Sequence, residues 1–391
     1  MTLPVSSLTE RISGESVSAW EIHSRAMHDL SQGKDVIVLS VGDPEFDSPA
    51  AAIDSAIKAL RAGDTHYSDV PGKPALRQAI ATKHQQRTGQ KSRAENVVVL
   101  AGAQSALFAV SMCLLERGDE VITFDPIYTT YEATLSMVGA TIVSLPTLPE
   151  QKFRPDINSI KSAITPATRA LFLANPSNPT GVVLSQEEVE AIAALAIQHD
   201  FWIVVDEVYA DLVFEGGFTH FAGLTGMDDR LITVSSLSKS HAMTGWRLGW
   251  IVAPATLAVH VENLALCMLY GLPGFIQEAG ITTITECDDT TTKIRLAYRE
   301  RRDKVMHWLE GIPGTSLLKP EGGMFLMMDI SKFGLETLEF VSQLYQKEGV
   351  SVMDAGAFGK CGDGFIRISF APALDQLESG CKRIRRFLSS H

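Results

Sequence analysis

Lys239 lies in the run Ser236-Leu237-Ser238-Lys239-Ser240-His241-Ala242-Met243-Thr244-Gly245-Trp246-Arg247, directly after the apolar stretch Leu231 to Val234. A lysine fixed at a strand end in a partly dry place has its neutral amine within reach and can form a Schiff base with a carbonyl. The hydroxyls before it and the guanidinium eight residues on are donors for a phosphate. Alone, such a lysine is more often a solvated side chain. Two other segments bear on the choice. Phe201 to Val205 is an apolar run ending in Asp206-Glu207-Val208-Tyr209. A carboxylate there lies where open α/β sheets bind ligands, although it also fits a plain helix N-cap. Ala170 to Ala174 leads into Asn175-Pro176-Ser177-Asn178-Pro179-Thr180-Gly181, whose two Asn-Pro steps and Thr-Gly make a rigid turn.

Together these groups fit pyridoxal phosphate, held covalently by Lys239. Asp206 beside the ring nitrogen would keep the pyridine protonated, so that the ring accepts electrons from a substrate carbanion. Tyr209 and the amide of Asn178 have a place at the ring's phenolic oxygen. A short turn, Ala101-Gly102-Ala103, separates the strand-like Val97 to Leu100 from a helical stretch, Gln104 to Leu115. Backbone amides at a helix N-terminus attract phosphate, although such turns are often small for packing reasons alone.

The elements that must position these groups are legible in outline. Strand-like runs recur at Val97, Val121, Thr141, Leu171, Ile203, Leu231 and Leu248, mostly separated by helical stretches. That order predicts an α/β domain with a largely parallel sheet covered by helices, over 49–285. Ser185-Gln186-Glu187-Glu188 reads as a capping box opening an amphipathic helix with Val189, Ile192, Ala193 and Ala196 on one face. The polar segment Asp288 to Thr292 marks the passage to a C-terminal part, 286–391, in which Lys293 to Leu309 reads as a long charged helix. Gly322 to Leu326 and Phe365 to Phe370 read as strands.

The ordered set Asn178, Asp206, Tyr209, Lys239, Arg247 and Arg367 resembles the class I/II aminotransferases of the fold-type-I pyridoxal phosphate enzymes. The resemblance runs from Val41-Gly42-Asp43-Pro44 to Ile366-Arg367-Ile368-Ser369, essentially the whole chain. It implies a large domain with a seven-stranded sheet sandwiched by helices, and a smaller α+β domain to which the N-terminal arm, 1–48, belongs. It places Arg247, Ser236, Ser238 and the amides of Ala103 and Gln104 on the phosphate. Tyr128 would stack on the pyridine, unless it is an ordinary core aromatic. Arg367 would clamp the substrate carboxylate, for which a planar fork suits better than lysine. Gly42, Asn178 and Trp20 complete the substrate side. Tyr67 would cross to the neighbouring subunit's phosphate, implying a homodimer with shared sites.

The implied reaction is ping-pong transamination between an L-amino acid and a 2-oxo acid. Ser238-Lys239-Ser240-His241, Trp20-Glu21-Ile22-His23 and Ala265 to Gly271 are most similar to the branch that pairs L-arginine with pyruvate. Glu15 and Asp69 are candidate partners for a guanidinium, and equally plain surface acids. Aspartate, aromatic amino acids and alanine stay open as donors. So does β-elimination by a C–S lyase, because the same cofactor residues serve both reactions. A non-catalytic sensor would want a basic DNA-binding segment, and none is apparent.

Composition agrees with a globular enzyme. The 391 residues are 45% hydrophobic and 20% charged, enough for two or three domains. A net charge of -12 with no basic tract argues against a nucleic-acid surface. No apolar run approaches the ~20 residues of a membrane span. Met1 to Ser18 lacks the basic-then-apolar order of a signal peptide. The five cysteines show neither metal spacing nor a paired framework, so no metal is expected and the cytoplasm is the expected compartment.

Overall fold

The computed structural model describes residues 3, 5–12 and 20–390. After a short strand, β1 (Ile37–Val38), the chain builds one large sheet. Its strands are β2 (Val97–Leu100), β3 (Glu120–Asp125), β4 (Thr141–Pro146), β5 (Thr168–Ala174), β6 (Trp202–Asp206), β7 (Leu231–Ser236) and β8 (Gly249–Val252). The seven strand-like runs of the sequence all enter it, in the order β2-β8-β7-β6-β5-β3-β4. Only β8 runs antiparallel to its neighbours. The inner strands carry apolar residues on both faces because helices cover both. Val204 contributes to the core on one side, with Leu107 and Ile251. Ile203 and Val205 point to the other, where Val189 and Ile192 of the helix Gln186–His199 meet them. That helix is capped as its sequence predicts: Ser185 Oγ accepts from the Glu188 amide at 3.3 Å, and Glu188 Oε2 accepts from the Ser185 amide at 2.7 Å.

Register brings the chemistry to one edge. Ala174 pairs with Asp206 and Asp206 with Val234, so the carboxyl ends of β5, β6 and β7 lie side by side. The helix that follows β2 spans Ala103–Leu114, one residue earlier than read.

A second sheet contains β9 (Ser316–Leu318), β10 (Phe325–Asp329), β12 (Met353–Asp354) and β13 (Phe365–Ser369), antiparallel in the order β12-β13-β10-β9. β1 pairs in parallel with β11 (Val350–Ser351). Ile22, Ala26, Ile37 and Leu39 share one core with Val305, Leu326, Ile366 and Ile384, so the N-terminal arm packs with the C-terminal part.

Two readings are corrected. Gly322 and Gly323 stand outside β10, which begins at Phe325. A Cβ on Gly322 would lie 2.9 Å from Pro176 Cγ, and Gly323 has φ +81°, so the pair forms a tight crossing over the Asn-Pro loop. The polar run from Asp288 is not a loop ahead of the helix read from Lys293. It is the first turn of a helix, Asp288–Leu309, in which Asp288 and Asp289 face the positive end of the helix dipole. Among the described residues no helix is long and apolar enough to cross a membrane, and no cluster of His, Cys, Asp or Glu suits a metal ion.

Candidate active site

A cavity of about 210 Å³ opens at the carboxyl ends of β5, β6 and β7. It brings together the residues singled out from sequence, from Trp20 and Gly42 through Asn178, Asp206 and Lys239 to Arg367. Tyr67 and Asp69 are the exceptions among the described residues.

Lys239 follows β7, and its Nζ donates to the carbonyl of Gly42 at 2.6 Å. The arm can come this close because residue 42 has no side chain: a Cβ would sit 2.5 Å from Phe325 Cζ. Burial lowers the amine's pKa to about 8, against the opposing charge of Asp43. A neutral, nucleophilic amine is therefore accessible near neutrality.

Asp206 ends β6 and is buried. Its Oδ1 accepts from the Val208 amide at 3.1 Å, and its Oδ2 accepts from the Tyr131 hydroxyl at 3.2 Å. Asp206 is not the helix N-cap of the plainer reading: the 3-10 helix that follows, Ala210–Leu212, has Tyr209 at its N-cap, and Asp206 instead braces the turn after β6 and lines the cavity. Burial raises its carboxyl to about 6, and the two hydrogen bonds oppose the rise. Tyr131 escaped the sequence reading, yet it lies three residues beyond Tyr128 on the helix Thr129–Met137 and its N-cap, a spacing that shares a helix face. Burial also pushes the Tyr209 phenol well above its ordinary pKa, so its hydroxyl keeps its proton.

Arg367 projects from the middle of β13 and is buried. Its Nη1 donates to Asn178 Oδ1 at 2.9 Å and its Nη2 to the Ser40 carbonyl at 2.7 Å. Its guanidinium lies over the rings of Phe325, at 3.9 Å, and Phe358, at 4.6 Å. Nε is buried and meets no acceptor among the described residues. Burial lowers the pKa to about 10, which leaves a cation that wants an anion. Ser40, Phe325 and Phe358 are the other residues the sequence reading missed.

Around Arg247, two glycines allow a tight cradle. A Cβ on Gly102 would meet Arg247 Nη2 at 2.5 Å, and one on Gly249 would meet the Ala103 nitrogen at 2.5 Å. Gly102 has φ +83°, which only glycine adopts without strain. Arg247, the first amides of the helix Ala103–Leu114, and the hydroxyls of Ser236 and Ser238 therefore converge on one end of the cavity. The side chain of Gln104 is held by Thr130 and Thr134, at 2.7 and 3.1 Å. A cluster of hydrogen-bond donors, a buried carboxylate and a lysine in one cavity match the charges of pyridoxal phosphate.

Tyr67 is 86% exposed and packs on Tyr270, with ring centroids 4.7 Å apart. It does not line its own chain's cavity, and neither does Asp69, which is exposed. Glu15 lies outside the described residues.

The profile of aminotransferase class I and II matches residues 34–384. The chain belongs to this family. It is a pyridoxal-phosphate-dependent transaminase, acting by a ping-pong mechanism on an amino acid and a 2-oxo acid. It is similar to arginine–pyruvate transaminase AruH of Pseudomonas aeruginosa, with 49% identity over 379 residues, 97% of this chain and 96% of the relative. It is also similar to an aspartate aminotransferase of Pyrococcus horikoshii, with 34% identity over 360 residues and 92% of each chain. Among solved structures, the aspartate aminotransferase of Thermus thermophilus with maleate superposes with a TM-score of 0.93 at 30% identity, covering 99% of this chain and 100% of that one.

Proposed function

We propose that this transaminase takes the amino group of L-arginine and passes it to pyruvate. The observation that carries the substrate pair is the likeness to AruH over nearly the full length of both chains. When bound, pyridoxal phosphate supplies an aldehyde that carries the amine and a protonated ring that draws electrons from the substrate Cα. The chain's residues do the rest. Lys239 holds the cofactor covalently and, once displaced by the substrate amine, takes the proton from Cα as a neutral base. Asp206 keeps the ring nitrogen protonated, while Tyr209 and Asn178 hold the ring's phenolic oxygen and Tyr128 covers the ring face. Arg247, Ser236, Ser238 and the amides of Ala103 and Gln104 bind the phosphate. Arg367 clamps the α-carboxylate beside Asn178, with Gly42 and Trp20 on the substrate side. The same reading makes the enzyme a homodimer in which Tyr67 serves the neighbouring subunit's phosphate. The exposed Tyr67–Tyr270 pair supports it. It also takes 49–285 as the large domain, with 1–48 and 286–391 as the small one, supported by the core they share.

Asp206 is the sole carboxylate among the described residues that line the cavity. A guanidinium would therefore need a partner from outside this lining, and Asp69 across a dimer or Glu15 of the arm would supply it. The test is a half-reaction screen. Each amino acid is added to the purified enzyme, and conversion of the bound cofactor to its amine form is followed by absorbance. L-Arginine should react fastest. The substrate pair is wrong if arginine is inert while aspartate or aromatic donors react quickly. Release of pyruvate and ammonia from a cysteine conjugate without an acceptor would instead show a lyase.

The lowered pKa of Lys239 gives a second expectation. At pH 7 about a tenth of the apoprotein carries the neutral amine, against fewer than about one in a thousand for an ordinary lysine. The rate at which the apoprotein captures pyridoxal phosphate should therefore rise with pH and level off above about 8. Stopped-flow absorbance across pH 6 to 10 checks this, and a rise continuing past pH ~10 would contradict it.

A further inference from the structure

The run Trp20-Glu21-Ile22-His23 contains a side chain for which the reaction described above has no use, His23. Its helix, Glu21–Ser31, is bolted at the far end to the C-terminal core, where Asp29 accepts from the Tyr345 hydroxyl at 2.7 Å. Its near end is the cavity end, because Trp20 is the N-cap and lines the cavity. Trp20 makes no side-chain capping bond, so something else must hold its indole in place. Two things do. The indole packs against the small cluster of Met353 and Phe358, and its ring meets the His23 imidazole edge-on with centroids 5.6 Å apart.

His23 is in turn fixed. Its Nδ1 lies 2.9 Å from Ser40 Oγ, and Ser40 Oγ lies 3.0 Å from Ser351 Oγ. Ser40 is fully buried, and Leu39 before it is strapped between Ser351 and Ser369 by backbone hydrogen bonds. With its hydroxyl pinned on one side, Ser40 turns its carbonyl to Arg367 Nη2 on the other. Phe358 of that cluster also lies under the Arg367 guanidinium. The indole and the guanidinium are thus joined twice, through His23 and Ser40 and through Phe358. Burial and the charge of Arg367 both lower the pKa of His23, which keeps the imidazole neutral in this bridge.

We infer that His23 is a positioning residue, which ties the Trp20 cover to the Arg367 clamp through Ser40, so that carboxylate binding and covering of the cavity are one event. It touches neither substrate nor cofactor and acts through its two neighbours. The inference rests on the reading of Arg367 as the carboxylate clamp. Its signature is a loss in substrate binding with the chemical step spared.

Three variants of the holoenzyme test it. His23→Ala removes both the edge contact and the hydrogen bond. Ser40→Ala breaks the bridge from the other side and leaves the carbonyl in place. His23→Asn keeps a polar atom near the position of Nδ1. For His23→Ala and Ser40→Ala, the KM of the amino donor should rise about tenfold with kcat within about threefold, and His23→Asn should recover most of the loss. The readout independent of turnover is hexanoate, a monocarboxylate with no amine to react, titrated by calorimetry and by tryptophan emission. Its Kd should rise about tenfold in His23→Ala, and the emission change that Trp20→Phe abolishes should shrink with it. An unchanged hexanoate Kd and KM in both alanine variants overturns the inference, as does His23→Asn failing as badly as His23→Ala. Arg367→Gln separates the two layers. If it weakens hexanoate while the His23 and Ser40 variants do not, only the bridge falls. If it leaves hexanoate binding intact, the clamp reading falls and takes the bridge with it.

Discussion

Lys239→Ala is expected to abolish transamination and the absorbance of the covalently held cofactor, while pyridoxal phosphate still binds through its phosphate end. No other amine lines the cavity among the described residues, so none can replace the nucleophile or the base. The groups proposed as donors for the phosphate, Arg247, Ser236, Ser238 and the amides after Gly102, do not depend on Lys239 for their positions. Stability provides an independent check. A lysine whose folded pKa is depressed gives stability that is present above its ordinary value of 10.5 and lost as pH falls through about 8. At pH 7 the buried ammonium therefore weakens the apoprotein, and the alanine apoprotein should melt no lower than the parent. Near-normal turnover by Lys239→Ala would defeat the assignment of both of its roles. A collapsed melting temperature would instead mean that the Lys239–Gly42 hydrogen bond holds the arm in place.

What the sequence revealed and what it hid divide along a physical line. Lys239 and Asp206 could be found because strand ends are local events. An apolar run stops, and a polar residue follows at the edge where open sheets bind ligands. The seven strands and the capped helix Gln186–His199 follow from equally local patterns. Arg367 has no such local cue. It sits in a fully buried strand, and its significance depends on partners 189 and 327 residues away in sequence, Asn178 and Ser40. It came only through the resemblance to a family. Tyr131, 75 residues from Asp206, was hidden for the same reason. The start of the helix Asp288–Leu309 was missed because three threonines are poor helix formers. Tertiary anchors outweigh that propensity: Lys83 holds Asp288, and His241 bonds Thr291 at 3.0 Å.

Asp206→Asn is expected to lower kcat by several orders of magnitude with the cofactor still bound. The substitution keeps the shape and can still accept the Val208 amide. It removes the negative charge, and with it the reason for the ring nitrogen to stay protonated. The site is buried, so water does not supply the missing stabilisation, and an amide dipole is a weak substitute for a carboxylate facing a cation. It also disturbs the Tyr131 hydroxyl, which now donates to Oδ2 and would face an NH₂ group in one orientation of the amide. Tyr131→Phe separates the two effects, since it removes that hydrogen bond and leaves the charge. Burial raises the Asp206 carboxyl to about 6, and Tyr131 is one of the bonds opposing the rise. Tyr131→Phe should therefore move the acid limb of the apoprotein's cofactor affinity to higher pH, with a modest cost in rate. Asp206→Asn should erase the limb and most of the rate together. A loss of less than about tenfold in Asp206→Asn, roughly 1.4 kcal/mol of barrier, would contradict the role of this carboxylate in drawing electrons from the substrate.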